Sequence, residues 1–198
     1  MPPQLDLFGA PPGAPDGLPE GLEYRHGLID EREEAALAEA IAGLNFAPFE
    51  FHGFTGKRRT VSFGLHYEFN GSGLREAEAM PDFLLEPRAR CAAWAGLPED
   101  AFVHALVIEY APGAGIGWHR DRPVFGDVAG LSLLAPARLR FRRKAGEKWE
   151  RHALVAAPRS AYLLRGPART EWEHSIAPME ALRYSITFRT LRCEGRRG

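Results

Sequence analysis

Cysteine is nearly absent. Cys91 and Cys193 are the two in 198 residues, far apart and in no metal-type spacing. That excludes a disulfide framework and a cysteine-based zinc site, and favours a reducing, cytoplasmic setting. No apolar run approaches the ~20 residues needed to cross a bilayer. The N-terminus has no basic stretch followed by an apolar one, so neither a membrane anchor nor a secretory leader is expected. Internal repeats are missing. So are helices between the strand-like runs of the C-terminal half, which argues against a doubly wound sheet. Lysine is scarce, with 3 against 22 arginines, a bias that a GC-rich genome also produces.

What is present is an ordinary globular balance of 45% apolar and 26% charged residues, enough for a sizeable core in a single, monomeric domain. The net charge of −1 hides an asymmetry: residues 1–136 hold 10 basic and 20 acidic side chains, residues 137–198 hold 15 and 6. The basic portion either faces phosphates or meets its opposite charges within one fold. Residues 9–21 contain eight Gly or Pro, a linker composition, so a flexible tail is expected over 1–21 and the folded domain over 22–198.

Residues 30–44 predict a helix, with Asp30 as cap, Glu33 completing a D-x-x-E start, and Leu37, Ile41 and Leu44 on one face. A second helix is expected over 87–95, with Pro87 in its first turn and Gly96 ending it. Beyond residue 100 the chain turns to short β-rich runs: FVHALVIEY, GLSLL, ARLRFRR, RHALVA, SAYLL, EWEHSI and LRYSITFR. Several alternate apolar and polar residues. Helices followed by closely spaced strands predict an α+β protein whose β part is a jelly roll or barrel.

Within WHRDRP, His119 and Asp121 stand two apart, so on a strand both side chains reach one ion. A second histidine, His174, lies in EWEHSI, another strand-like run. Two imidazoles and a carboxylate make a facial triad that leaves three positions open on Fe(II). The pair alone is weak, since a surface ion pair has the same pattern. The run LRYSITFR weighs more. It sets Arg183, Ser185, Thr187 and Arg189 on one strand face, with Tyr184, Ile186 and Phe188 on the core face. Inward arginines need anionic partners, and the guanidinium fork suits a dicarboxylate such as 2-oxoglutarate. The alternative is a half-solvated face. Arg183 and Arg189 stand ~20 Å apart on a straight strand, so either the strand bends or the two do different jobs. Arg183 is expected to hold the distal carboxylate, and Arg189 to lie near the keto-acid end and the metal.

With these residues in hand, the chain resembles the AlkB family of 2-oxoglutarate/Fe(II) dioxygenases, over about residues 45–192. The matching motifs are Y-A-P-G-A-x-I-G-x-H-x-D (Tyr110 to Asp121), G-L-S-L (Gly130 to Leu133), F-R-R-K (Phe141 to Lys144), H-S-I (His174 to Ile176) and R-Y-S-I-T-F-R (Arg183 to Arg189). The resemblance implies a double-stranded β-helix core supported by N-terminal helices. It implies that His119, Asp121 and His174 bind iron, and that Tyr110, Arg183, Ser185 and Arg189 bind 2-oxoglutarate. Two asparagines common in the family are replaced, by Ile108 and by Ser185. The implied activity is oxidative dealkylation of nucleobases, DNA being favoured, with release of succinate, carbon dioxide and an aldehyde.

The segment GKRRTVSFGLHYEF looks like the family's nucleotide-recognition lid. Arg58 and Arg59 are then phosphate contacts, and Tyr67 and Phe69 base contacts, since a flipped base needs a stacking partner. Equally, Phe63, Tyr67 and Phe69 at period 2 describe one face of a core strand. The segment from Phe49 to Gly56 is expected to be a loop entering the duplex, with Phe51 or Phe54 as a wedge. At the N-terminus, Gln4-Leu5-Asp6-Leu7-Phe8 resembles the peptide by which bacterial repair proteins bind the sliding clamp. Leu7 and Phe8 would fill an apolar pocket, with Gln4 at its rim. The other reading is an edge strand packed on the chain's own domain.

Overall fold

A computed structural model describes residues 17–51, 54–68 and 73–192, with the side chains of 49–55 and 66–76 outside that description. In chain order the elements are β1 (Leu22–Arg25), α1 (Glu31–Ala42), β2 (Ala47–Phe51), β3 (Phe54–Phe63), β4 (Leu65–Glu68) and β5 (Gly73–Glu76). A 3-10 turn (Asp82–Leu84) leads into α2 (Leu85–Ala95). Then follow β6 (His104–Tyr110), β7 (Ile116–His119), β8 (Phe125–Leu133), β9 (Ala137–Ala145), β10 (Lys148–Ala156), β11 (Ala161–Leu164), α3 (Gly166–Thr170), β12 (Glu173–Ile176) and β13 (Arg183–Leu191).

Both helices form where the local chemistry places them. Asp30 accepts from the Glu33 amide at 2.9 Å and the Glu33 carboxylate accepts from the Asp30 amide at 2.8 Å, a closed capping box. Leu37 and Ile41 then turn inward. The second helix starts two residues earlier than its proline suggested, because the 3-10 turn runs straight into it, and Gly96 ends it in the left-handed region at φ +67. Glu34 ties the first helix to the strands. It accepts from the Leu134 amide at 2.9 Å and from the Arg159 guanidinium at 2.6 Å. Those are the two non-glycine residues with positive φ among the described residues, so one carboxylate holds both uncomfortable turns.

The strands form a seven-stranded sheet, β1-β11-β8-β13-β6-β3-β2, and a four-stranded sheet, β10-β9-β12-β7, with β4-β5 a separate ribbon. Every pairing is antiparallel. This is the expected α+β jelly roll, the double-stranded β-helix. The larger sheet buries both faces. One face packs Phe63, Val107, Leu131, Leu163, Ile186 and Phe188 against Leu37, Ile41, Leu84 and Ala92 of the two helices. The other face packs Ile108, Tyr110, Val128 and Tyr162 against Leu139, Phe141, Leu154 and Ile176 of the smaller sheet.

Two lid expectations change. The described residues 49–51 and 54–56 belong to the paired strands β2 and β3, with Phe51 opposite Phe54 in register, rather than to one continuous loop. The apparent period from Phe63 to Phe69 is interrupted at Gly64, whose φ is +79 and whose missing Cβ would stand 2.2 Å from the Val103 carbonyl oxygen. Phe63 ends β3 in the helix-side core, whereas Tyr67 starts afresh on β4. No helix among the described residues is long and apolar enough to cross a membrane.

Candidate active site

His119 and His174 are direct cross-strand partners on β7 and β12, with ring centroids 4.2 Å apart. Asp121 does not share the strand as the i, i+2 argument supposed. Strand β7 stops at His119, and the carboxylate is brought back by the following turn, its Oδ2 3.9 Å from His174 Nε2. The His119 Nδ1 lies 2.9 Å from the Gly117 carbonyl oxygen. A carbonyl only accepts, so Nδ1 carries the proton and Nε2 keeps its lone pair.

Arg189 fixes the carboxylate. Its NH2 donates to Asp121 Oδ1 at 3.0 Å, both side chains being about nine-tenths buried. Its NH1 lies 3.3 Å from Nδ1 of the buried His104, and the guanidinium sits 5.5 Å over the Phe125 ring. Burial opposes ionisation of Asp121, yet Arg189, with His174, His119 and Arg169 behind it, outweighs burial and holds the carboxyl well below the usual carboxylate range. Burial, then the neighbouring His119, pushes the His174 pKa down to about 3. Burial also pushes His119 down. At neutral pH the cluster is therefore two neutral imidazoles and one carboxylate, the protonation state that metal ligation requires.

At the other end of β13, Arg183 is 0% exposed. Its Nε donates to Ser132 Oγ at 3.0 Å, and its guanidinium lies 5.1 Å over the ring of Tyr110, its register partner on β6. Among the described residues neither terminal nitrogen, NH1 or NH2, has a partner in good hydrogen-bond geometry, and the Tyr110 hydroxyl is the polar group nearest to hand. Ser185 and Thr187 line the same face between the two arginines and are also buried, with Ile108 opposite Ser185. Arg183 and Arg189 thus stand at opposite ends of one polar wall, and the strand does not fold back to join them.

The sequence reading missed Tyr162. It pairs with Gly130 on β8, which in turn pairs with Thr187 on β13. A Cβ on Gly130 would fall 2.2 Å from the Tyr162 ring and 2.5 Å from its hydroxyl. The ring therefore crosses the bare glycine, carrying its hydroxyl toward Thr187 between the two arginines. Burial pushes the phenol up to about 12, so it remains a neutral donor. G-L-S-L carried the signal in its glycine, which permits this close approach. His104, which braces Arg189, had no readable signal.

The lid arginines separate by strand alternation. Arg59 forks onto Glu109, Nε to Oε1 at 2.7 Å and NH2 to Oε2 at 2.9 Å, and its guanidinium lies 5.5 Å over Phe46 on the helix side. Arg58, its neighbour on β3, takes the other face. It is half-buried, burial lowers its pKa, and Tyr110 partly offsets that. It also acts on His119, which sets it beside the His–Asp–His cluster. Phe69, the side chain of Tyr67, and Gln4, Leu5, Leu7 and Phe8 lie outside the described residues.

A family model for the 2OG-Fe(II) oxygenase superfamily matches residues 28–189, and the chain belongs to that superfamily. Its members use Fe(II) and 2-oxoglutarate. Among solved structures, OsALKBH1 matches with a TM-score of 0.65 at 15% identity, covering 87% of this chain and 99% of that one. A Pseudomonas putida prolyl-4-hydroxylase matches with a TM-score of 0.57 at 17% identity, covering 87% and 93%. Both likenesses are of fold, and the first is to an AlkB homologue. Comparison with curated proteins gives no sequence match.

The residues suit both groups that the family uses. Cis ligands of an octahedral ion at ~2.1 Å stand ~3.0 Å from each other. The 3.9 Å between His174 Nε2 and Asp121 Oδ2 therefore exceeds a closed ligand set by less than an ångström. Among the described residues no group of three His, Cys, Asp or Glu side chains is drawn close enough to close on an ion as it stands, the His–Asp–His cluster included, so binding a metal would draw these three side chains inward. The buried guanidinium of Arg183, with two N–H-bearing nitrogens unpaired, calls for an anion with two acceptor oxygens, which is what a carboxylate is.

Proposed function

We propose that this protein removes alkyl groups from the ring nitrogens of DNA bases by oxidation, as a repair activity. The observation that carries the reading is the ordered AlkB-type motif series from Tyr110 to Arg189, whose ligand-type side chains gather around one inter-sheet space.

In this reading His119, Asp121 and His174 hold Fe(II), and Arg183 grips the distal carboxylate of 2-oxoglutarate. Tyr110 packs beneath that guanidinium, while Ser185 and Tyr162 offer hydroxyls along the co-substrate's length. With Ile108 unable to hydrogen-bond, Tyr162 is the polar replacement, reaching the same sheet face from the other side of β13. When bound, iron and co-substrate supply the O2-dependent oxidation of the N-alkyl carbon. The chain's own work is positional. Arg189 and His104 keep Asp121 ionised and aimed. The Gly117 carbonyl selects the His119 tautomer. The apolar walls of Ile108, Ile176 and Phe141 exclude water. Arg58, facing the cluster from β3, meets a phosphate of the incoming nucleotide, and Tyr67 and Phe69 stack on its base. Arg59, engaged with Glu109, shapes the strand rather than touching substrate. Gln4 to Phe8 tether the enzyme to the sliding clamp, so that repair follows replication.

The test is formaldehyde release from oligonucleotides carrying 1-methyladenine or 3-methylcytosine, with Fe(II) and 2-oxoglutarate, for wild type and His119→Ala. Release by the wild type alone supports the reading. Turnover of 2-oxoglutarate with no release from DNA moves the substrate to RNA, a protein or a small molecule. For the tether, a Gln4–Phe8 peptide that binds the clamp and fails after Leu7→Ala plus Phe8→Ala is the expected outcome.

A further inference from the structure

The smaller sheet turns one face toward the active site and the other toward solvent, and the two differ in charge. Along β9, Ala137, Leu139 and Phe141 point into the inter-sheet core. The alternating residues Arg138, Arg140, Arg142 and Lys144 therefore point out, one cation every ~6.8 Å. Strand β10 continues the face. Arg151 stands directly opposite Arg142, and exposed Trp149 opposite Lys144. On β12, Glu173 stands opposite Arg142 and pairs with it at 2.6 Å. It is the one carboxylate on this face among the described strand residues, against five cations. The hairpin turn adds Glu147, and Lys148 begins β10 directly after it.

Aromatic rings are interleaved with these cations. The Arg142 guanidinium lies 4.4 Å from the centroid of Trp118 on β7 and 4.4 Å from that of Trp149 on β10, which stiffens the row. Arg138 and Arg151 are exposed and make no ion pair among the described residues. At the β7 edge the face opens into a cleft of about 340 Å³ lined by Arg140, Gly117, Ile176 and Lys57. Lys57 belongs to β3, next to Arg58. The positive strip thus runs from the outer face, past the edge strand, to the base of the lid strand beside the His–Asp–His cluster.

We propose that this outer face is a docking surface for the phosphodiester backbone of a nucleic acid strand, leading it to the active site around the edge of β7. The surface rests on the nucleic-acid reading of the active site and extends it. Five cations against one carboxylate, regularly spaced on a flat sheet with tryptophan between them, complement a repeating polyanion whose units also carry stacking faces. An acidic protein would match the charge but leave the spacing and the tryptophans without purpose.

The test is fluorescence anisotropy of an unmodified single-stranded oligonucleotide with the full chain, titrated with salt. In Arg138→Gln plus Arg151→Gln, binding is expected to weaken about tenfold or more, and the slope of log K against log salt to shrink by about 1.4. Both positions are exposed on the face of the smaller sheet that turns away from the inter-sheet space, so 2-oxoglutarate affinity and the thermal midpoint are expected to stay put. The Arg138→Lys plus Arg151→Lys variant is expected to keep the affinity. Unchanged oligonucleotide binding by the glutamine variant overturns the surface and leaves dealkylation standing. Absence of formaldehyde release by a wild type that still binds DNA through this face has the reverse meaning. Equal binding of poly-glutamate would overturn the nucleic acid as occupant and point to an acidic protein.

Discussion

Strand β13 presents two equally buried faces that do opposite things. Tyr184, Ile186 and Phe188 sit in the helix-side core. Arg183, Ser185, Thr187 and Arg189 are buried just as deeply on the inter-sheet side. On the first face every side chain finds an apolar partner. On the second, Arg183 keeps two terminal nitrogens and Arg189 keeps Nε without a well-formed hydrogen bond among the described residues. Burial therefore does not separate scaffold from site here; unmet polarity does. The helix-side layer makes the sheet rigid, and the rigid sheet is what can hold unsatisfied guanidinium groups in place.

The largest effect that would sharpen this contrast is on stability. Phe188→Ala is expected to lower unfolding free energy by ~3–5 kcal/mol, seen as a fall in urea midpoint, while the molecules that stay folded bind 2-oxoglutarate normally. A variant of wild-type stability would show that the helix-side layer is not the scaffold. Arg183→Met should do the reverse. Affinity for 2-oxoglutarate, read by calorimetry, is expected to fall on the order of 100-fold, with stability unchanged or raised, because a buried unpaired charge has been replaced by a hydrophobe. A strong loss of stability instead would make Arg183 a structural residue.

Acid should strike the site layer first. His174 titrates near 3 in the fold and near ~6.5 when unfolded. Between those values the unfolded chain binds a proton that the folded chain refuses, so stability rises with pH across that window, by ~1.4 kcal/mol per unit at most. Asp121, held low by Arg189, adds the same sign below ~4. In chelator-treated protein, His174→Phe is expected to flatten the pH dependence of the thermal midpoint; an unaltered slope would remove His174 as its source. The smallest effect belongs to Tyr162→Phe, which keeps the ring over Gly130 and deletes only the hydroxyl. A rise of ~10-fold in the 2-oxoglutarate dissociation constant is expected, with no change in the urea midpoint. No rise would leave the co-substrate to Arg183 and Ser185 alone.

Much of this was legible along the chain. The capping box at Asp30, the period-2 strands and the polar–apolar alternation of β13 are local patterns, and local patterns survive folding when a core reinforces them. The lid was less legible. Period 2 from Phe63 to Phe69 ran through Gly64, where a close approach to Val103 ends one strand before the next begins. Arg58 and Arg59 looked alike as neighbours, and only pairing with β6 showed that alternation sends one to the cluster and the other to Glu109.

The amino-acid sequence by itself determined the element types, the polar face of β13 and the family of chemistry, because those depend on residue identity and on spacing within one strand. Tertiary structure alone decided that His119 meets His174 across a strand pair, that Asp121 returns from a turn under the grip of Arg189, and that Tyr162 reaches over Gly130. Each of these is a contact between segments far apart in the chain, set by sheet register and by the close approach of backbones, and neither is written in any one stretch of residues.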